Sequence, residues 1–233
     1  MTSSAPEVRL DHARSSRIGI EEAIFCENKT AGQLAHILDD LAARGRTALL
    51  TRLNDSQLAA FAPGHLATID YDATSRTGFF GAVAAPGGAA RVAIVTAGSS
   101  DAAIGREAAR TLAYAGHASE IIFDVGVAGL WRLLEQVERL ETMDVVIAVA
   151  GMDAALVSVL GGLVPGVLIA VPTSTGYGVA NKGETALHAA LVSCSPGVLT
   201  VNIDNGYGAA CAAMRVLGVA GAAAVLQDVS TGT

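Results

Sequence analysis

DVVIAVAGMDAALVSVLGGLVPGVLIAVP, residues 144–172, decides the fold. Two runs of aliphatic residues, DVVIAVAG (144–151) and GVLIAVP (166–172), bracket a short apolar helical piece, Ala154 to Leu160. Neither run alternates apolar with polar. A strand that is apolar on both faces is buried on both, as in a parallel sheet covered by helices. The stretch reads as strand, helix, strand, and the pattern repeats outward. Upstream, RVAIVTAG (91–98) predicts a strand, Asp101 to Ala115 a helix, EIIFDVG (120–126) a strand and Leu130 to Leu140 a helix. Downstream, Glu184 to Ser193 predicts a helix, GVLTVNID (197–204) a strand and Ala209 to Leu217 a helix. Strands and helices in strict alternation predict an α/β fold: a three-layer, doubly wound parallel sheet with right-handed crossovers. The Ala-rich tail from Gly218 either extends the last helix or packs on a neighbouring subunit.

The chain before this region has another character. Residues 1–90 predict a small N-terminal α+β region with its linker, and 91–233 the α/β domain. Lys29 to Gly45 predicts a helix with Leu34, Ile37, Leu38 and Leu41 on one face. Thr30 and Gln33, three residues apart, are placed to form its capping box. Thr47 to Leu53 predicts a strand, and VAAPGGAA (83–90) a flexible linker.

Composition narrows the function. With 52% hydrophobic residues the chain buries enough surface to fold, which excludes disorder. A net charge of −7 leaves no basic stripe for nucleic acid. Three Cys exclude a disulfide scaffold, and no His/Cys cluster has zinc-ligand spacing. Ala154 to Asn181 carries no charge, but Gly161, Gly162, Pro165, Gly166 and Pro172 cut it too short to span a membrane. Met1 to Asp11 lacks the apolar core of a signal peptide, so the expected location is the cytoplasm.

Ligands of open α/β sheets bind at the carboxyl ends of the strands. Four such ends are Gly-containing and polar. The first is Gly98-Ser99-Ser100-Asp101 and the second Gly151-Met152-Asp153. The third runs from Thr173 and Ser174 to Gly176 and Tyr177, and the fourth is Asn202 to Gly206. Such turns present N–H groups and hydroxyls to phosphate. No dinucleotide G-x-G-x-x-G, P-loop or G-x-S-x-G elbow is present. Between Val145 and Ile203 the charged residues are Asp153, Lys182 and Glu184. A charge in so apolar a setting is paired or used. Asp153 and Asp101 also read as helix N-caps and Lys182 as a solvated loop lysine, and neither reading excludes the ligand edge. Cys194 follows a helix that ends at the opposite, amino edge. It reads as a small buried hydrophobe, far from the ligand edge unless its loop reaches over or a neighbouring subunit receives it. Cys26 and Cys211 read as structural.

TAGSSD (96–101), VAGMDAAL (149–156), AVPTSTGYG (170–178), SCSPG (193–197) and VNIDNGYGA (201–209) resemble the LarB family. So do LDHARSSRIGIEEAIFCENKT (10–30), LLTRL (49–53) and YDATSRTG (71–78). These are pyridinium-3,5-biscarboxylate mononucleotide synthases related to the PurE-type aminoimidazole ribonucleotide carboxylases and mutases. The resemblance runs from about residue 10 to 217. It implies a PurE-like fold, carboxylation by CO2 of the pyridinium ring of nicotinic acid adenine dinucleotide at C5, and release of AMP. It also implies the start of nickel-pincer nucleotide synthesis and a homo-octamer.

The resemblance implies Cys194 as the catalytic thiol, with Ser100, Asp101, Asp153 and Lys182 in support. A thiolate added to ring C4 makes C5 nucleophilic toward CO2. Asp153 is the candidate base for the C5 proton, and a nearby Lys182 would favour thiolate. Ser100, Asp101 and the 173–178 loop would hold phosphate or ribose. No cofactor is required, although Mg2+ is a candidate for the anhydride step. The family usually has Glu where this chain has Asp153, a shortening that moves the base away from the ring. Two other readings stand beside this one. A purine-pathway carboxylase would want a His in the loops after the first strands, and none is there. A nucleotide-binding regulatory protein would have kept the fold without the chemistry. In the N-terminal region, Arg17, Lys29 and Arg76 either reach an adenylate phosphate or tie the small domain down.

Overall fold

The computed structural model describes residues 7–231, which form two compact units divided between Ala85 and Pro86. The first unit contains α1 (Arg14–Ile18), β1 (Ile24–Phe25), α2 (Ala31–Ala43), β2 (Ala48–Thr51), α3 (Asp55–Ala59), α4 (Pro63–Leu66), β3 (Ile69–Asp72) and β4 (Thr77–Phe80). Its sheet has the order β1-β2-β4-β3, with β1 parallel to β2 and the other pairs antiparallel. Leu34, Ile37, Leu38 and Leu41 of α2 are buried in the core of this unit, as their spacing predicts. The capping box forms: Gln33 N–H donates to Thr30 Oγ1 at 3.2 Å, and Thr30 N–H to Gln33 Oε1 at 3.0 Å.

The second unit contains β5 (Gly87–Thr96), α5 (Ala102–Tyr114), β6 (His117–Ile122), α6 (Leu130–Leu134), α7 (Val137–Leu140), β7 (Val145–Ala150), α8 (Ala155–Leu160), β8 (Val167–Pro172), α9 (Glu184–Leu191), β9 (Leu199–Thr200) and α10 (Gly206–Thr231). The sheet order is β6-β5-β7-β8-β9, all parallel. Register runs straight across the centre, with Val92 beside Val145 and Val145 beside Val167. On one face Ala93, Val95, Val146, Ala148, Leu168 and Ala170 pack against α6 to α9. α5 covers β5 on the other face, where α10 lies against β7 and β8. Val145 to Val149 are fully buried, which explains why they read as an uninterrupted apolar run. This is the doubly wound α/β fold expected.

Four expectations shift. Gly87 to Ala90, read as linker, begin β5, and Gly87 pairs with His117 across a bulge. The strand read at 120–126 is drawn back to His117–Ile122, because Val125 N–H and Asp124 N–H turn to the carbonyl and hydroxyl of Thr96. The helix read over 130–140 is two short helices. The last strand shrinks to Leu199–Thr200, although Val201 and Asp204 N–H groups still reach β8 carbonyls. The tail from Gly218 continues α10 to Thr231. Among the described residues no helix is long and apolar enough to cross a membrane.

Candidate active site

The sheet order reverses between β5 and β7, because the chain leaves β5 toward β6 and then returns to build outward from β7. The loops that open there form a crevice in this kind of sheet. After β5, Ser99 to Asp101 make a 3-10 turn that runs directly into α5. Ser99 and Ser100 are exposed and Asp101 is 2% exposed. The Asp101 carboxylate does not cap α5. Its Oδ2 accepts Gly98 N–H at 2.9 Å, and its Oδ1 accepts the Thr173 hydroxyl at 2.7 Å. Thr173 is itself buried. The pair therefore ties the loop after β5 to the loop after β8, across the strand between them.

The second loop is fitted against the third. Met152 N–H donates to Thr175 C=O at 3.0 Å. A Cβ on Gly151 would stand 2.3 Å from that same carbonyl oxygen and 2.8 Å from Thr173 Oγ1, so only glycine fits. Asp153 is exposed, and its Oδ1 accepts Ala155 N–H at 3.3 Å, a long bond that leaves most of the carboxylate to solvent. In the third loop Ser174 is exposed and its N–H donates to Asp204 Oδ1 at 2.8 Å. Gly176 is also closely packed, and Tyr177 is 81% exposed. Gly183 lies against the Thr173 carbonyl, which sets the exposed Lys182 at this edge. Lys182 makes no ion pair among the described residues. Ser100, Asp101, Asp153, Thr173, Ser174 and Lys182 thus share one edge.

Backbone strain concentrates here. Among the described residues eight other than glycine have positive φ, and six of them follow strands of this sheet: Asp124, Met152, Ala154, Asn181, Lys182 and Asp204. Each such conformation costs on the order of 1 kcal/mol and persists only where its surroundings enforce it, commonly at sites. Asp204 lies in the fourth polar strand end, but its bond to Ser174 and the packing of Gly183 depend on which loops meet and are not legible in the sequence. The remaining two strained residues are Arg52 and Arg76, in the first unit.

Cys194 is elsewhere. α9 carries the chain back to the amino edge, and Cys194 lies exposed in the turn before β9. That turn is pinned to the end of α8: Ser195 Oγ donates to Ser158 C=O at 2.7 Å, and Ser193 and Ser158 hydroxyls are 2.7 Å apart. The length of β7, six residues at about 3.3 Å each, separates it from the other candidates in its own chain. Its reading as a buried hydrophobe does not hold. Cys26 is buried and Cys211 partly so, and burial pushes the Cys26 thiol up to about 12 and the Cys211 thiol up as well.

Residues 91–230 match the AIR carboxylase family model, and residues 4–82 match the LarB/PurE-like N-terminal domain. The chain belongs to the AIR carboxylase family. With the LarB/PurE-like domain before it, this AIR carboxylase family member is of the LarB type, as its motifs implied. A 121-residue segment is 46% identical to an uncharacterized protein, MJ0165, of Methanocaldococcus jannaschii. That match covers 51% of this chain and 46% of the relative, so the chain spans less than half of that relative's length. The crystal structure of a PurE2 variant from Treponema denticola aligns with a TM-score of 0.42 at 20% identity, covering 61% of this chain and 97% of that one.

Proposed function

We propose that the chain carboxylates C5 of the pyridinium ring of nicotinic acid adenine dinucleotide and hydrolyses the phosphoanhydride, giving pyridinium-3,5-biscarboxylate mononucleotide and AMP. The observation that carries this reading is the gathering of Ser100, Asp101, Asp153 and Lys182 on one edge of a LarB-type domain, with a thiol at the opposite edge that is exposed rather than buried. The Cys194 thiolate forms a bond to ring C4, and the ring nitrogen loses its charge. C5, now the carbon of an enamine, attacks CO2 and forms the new C–C bond. Asp153 takes the C5 proton. The nitrogen lone pair then restores the aromatic ring and expels the thiolate, so CO2 enters and one proton leaves. Ser100 and the N-terminal end of α5 receive phosphate, while the buried Asp101 fixes that loop. Lys182 neutralises the ring carboxylates. Water cleaves the anhydride and AMP departs. Among the described residues no three His, Cys, Asp or Glu side chains are grouped to hold a metal ion.

Cys194 reaches ring C4 in this reading only from a second copy of the chain. Leu191, Val192 and Leu199 around the thiol are 64%, 79% and 49% exposed, and Tyr177 and Val179 at the other edge are 81% and 90% exposed. Apolar exposure on this scale marks interfaces. A head-to-tail contact between the two edges repeats around a ring, as in the octamer the family implies.

The test is incubation of the full chain with the dinucleotide and labelled bicarbonate, read by mass spectrometry. Gain of one labelled carboxylate with release of AMP is expected. Binding without turnover would overturn the reading in favour of a regulatory nucleotide-binding protein. Lys182→Ala and Cys194→Ala should each be inactive alone and regain partial activity when assembled together. No recovery in the mixed oligomer would rule out a shared site.

A further inference from the structure

The turn that carries Cys194 is held more firmly than a surface connection requires. It runs Ser193-Cys194-Ser195-Pro196-Gly197 between α9 and β9. Ser193 and Ser195 are half-buried, while Cys194 between them is exposed. Both serines are bonded to α8. Ser195 Oγ donates to Ser158 C=O at 2.7 Å, and Ser193 Oγ lies 2.7 Å from Ser158 Oγ. A third bond closes the turn on itself, with Ser195 N–H donating to Ser193 Oγ at 3.2 Å. The Ser158 carbonyl belongs to the last turn of α8, where carbonyls have no partner within the helix. Those of Val157, Val159 and Leu160 take the N–H groups of Gly161, Gly162 and Leu163. That of Ser158 takes the Ser195 hydroxyl. The approach is close: a Cβ on Gly161 would stand 2.6 Å from Ser195 Cβ. Beyond the serines, Pro196 restricts the backbone of Ser195, and Gly197 turns the chain at a φ of 82°.

Capping the end of α8 takes one hydroxyl. Here two do it, one on each side of an outward-facing thiol. We propose that Ser193 and Ser195 are positioning residues for Cys194, holding its thiol outward for the site of a neighbouring copy. This role rests on the ring chemistry proposed above, in which Cys194 adds to a ring held by another chain. A turn without these bonds lets the thiol shift, and a misplacement of an ångström costs on the order of 100-fold in rate. The dinucleotide is held at the opposite edge, so loss of the serines should change the rate and not the binding.

The experiment compares the full chain with Ser195→Ala and with the Ser193→Ala/Ser195→Ala double variant. Each is assayed with the dinucleotide and labelled bicarbonate, and each is followed by hydrogen exchange. In the double variant kcat should fall on the order of 100-fold, with KM for the dinucleotide unchanged. Mixed assembly of the double variant with Lys182→Ala should restore activity, because the Lys182→Ala chain brings a correctly held thiol to its neighbour's intact edge. Unchanged kcat overturns the positioning role, as does a matching rise in KM or no rescue in the mixed assembly. Exchange keeps the two proposals apart. In Ser195→Ala it should quicken up to about tenfold across residues 193–197, the size of one hydrogen bond, and stay as in wild type in β7 and α5. A wild type without turnover overturns the ring chemistry and the delivery of the thiol with it. Wild-type turnover with unchanged exchange in the turn overturns the positioning role alone.

Discussion

Asp101 and Thr173 are 72 residues apart in the chain, and the bond between them joins two loops of the candidate site. Replacing Thr173 by Val keeps the shape and strands one oxygen of a buried carboxylate. A hydrogen bond to a charged group is worth about 1.5–3 kcal/mol, so denaturant unfolding of Thr173→Val should show a loss of that size. The thiols differ as sharply. Near neutral pH iodoacetamide should modify Cys194 first, and peptide mapping should find Cys26 intact, since burial holds its thiol far above its ordinary value. If Asp153 falls short of the ring, Asp153→Glu should raise the carboxylation rate, by up to about 100-fold where an ångström of misplacement is removed. Asp153 and Lys182 could be picked out in the sequence because a charge in an apolar run has to be explained. Asp204 could not, because its partner Ser174 is 30 residues away and only the strand order brings them together. Cys194 carried no such signal. Motif resemblance found it, and the structure then placed it at the wrong edge for a site made by one chain.

Elements were readable where one periodicity governs them. The central strands are apolar at every position because both faces are covered, and the α2 stripe and cap follow from local spacing. Thr30→Ala removes that cap and should lower the stability of the first unit by about 1 kcal/mol in thermal unfolding. Edge elements were harder. β9 has one neighbour, β8, so tertiary contacts rather than propensity decide where it ends. The start of α10 was also hidden: its Tyr207 N–H is bonded at 3.2 Å by Glu107 Oε2, a buried acid 100 residues earlier. Gly151→Ala should cost more than a cap, because its methyl would enter the space of the Thr175 carbonyl. The loops after β7 and β8 would have to separate, and turnover should fall with stability.

At the scale of the whole molecule, pH should act on stability through named groups of the first unit. Burial raises Cys26 from its ordinary 9.0 to about 12, and burial with the Asp55 hydrogen bond raises Tyr71 from 10.0 to about 12. Both are neutral when protonated and both belong to the first unit. Above pH 9 the unfolded chain loses these protons before the folded one does, so the stability of the first unit should decline between about pH 9 and 12. Cys26→Ala should flatten that decline in a base titration followed by circular dichroism. At the acid end Asp11 and Asp40 run the other way, held down by hydrogen bonds from Arg17 and Arg44. Their contribution is present above the ordinary 3.8 and is lost as the pH falls below it.

The left-handed residues around the parallel sheet's edge have a consequence for directed evolution. Ala154 has a φ of 48°, a conformation that glycine adopts freely. Selection for heat tolerance alone should therefore enrich glycine at Ala154 and its strained neighbours. The same changes should loosen the loops that carry Asp153 and Lys182 and slow the enzyme. Thermostable descendants of this protein should be recognisable by a glycine-rich rim and a reduced turnover.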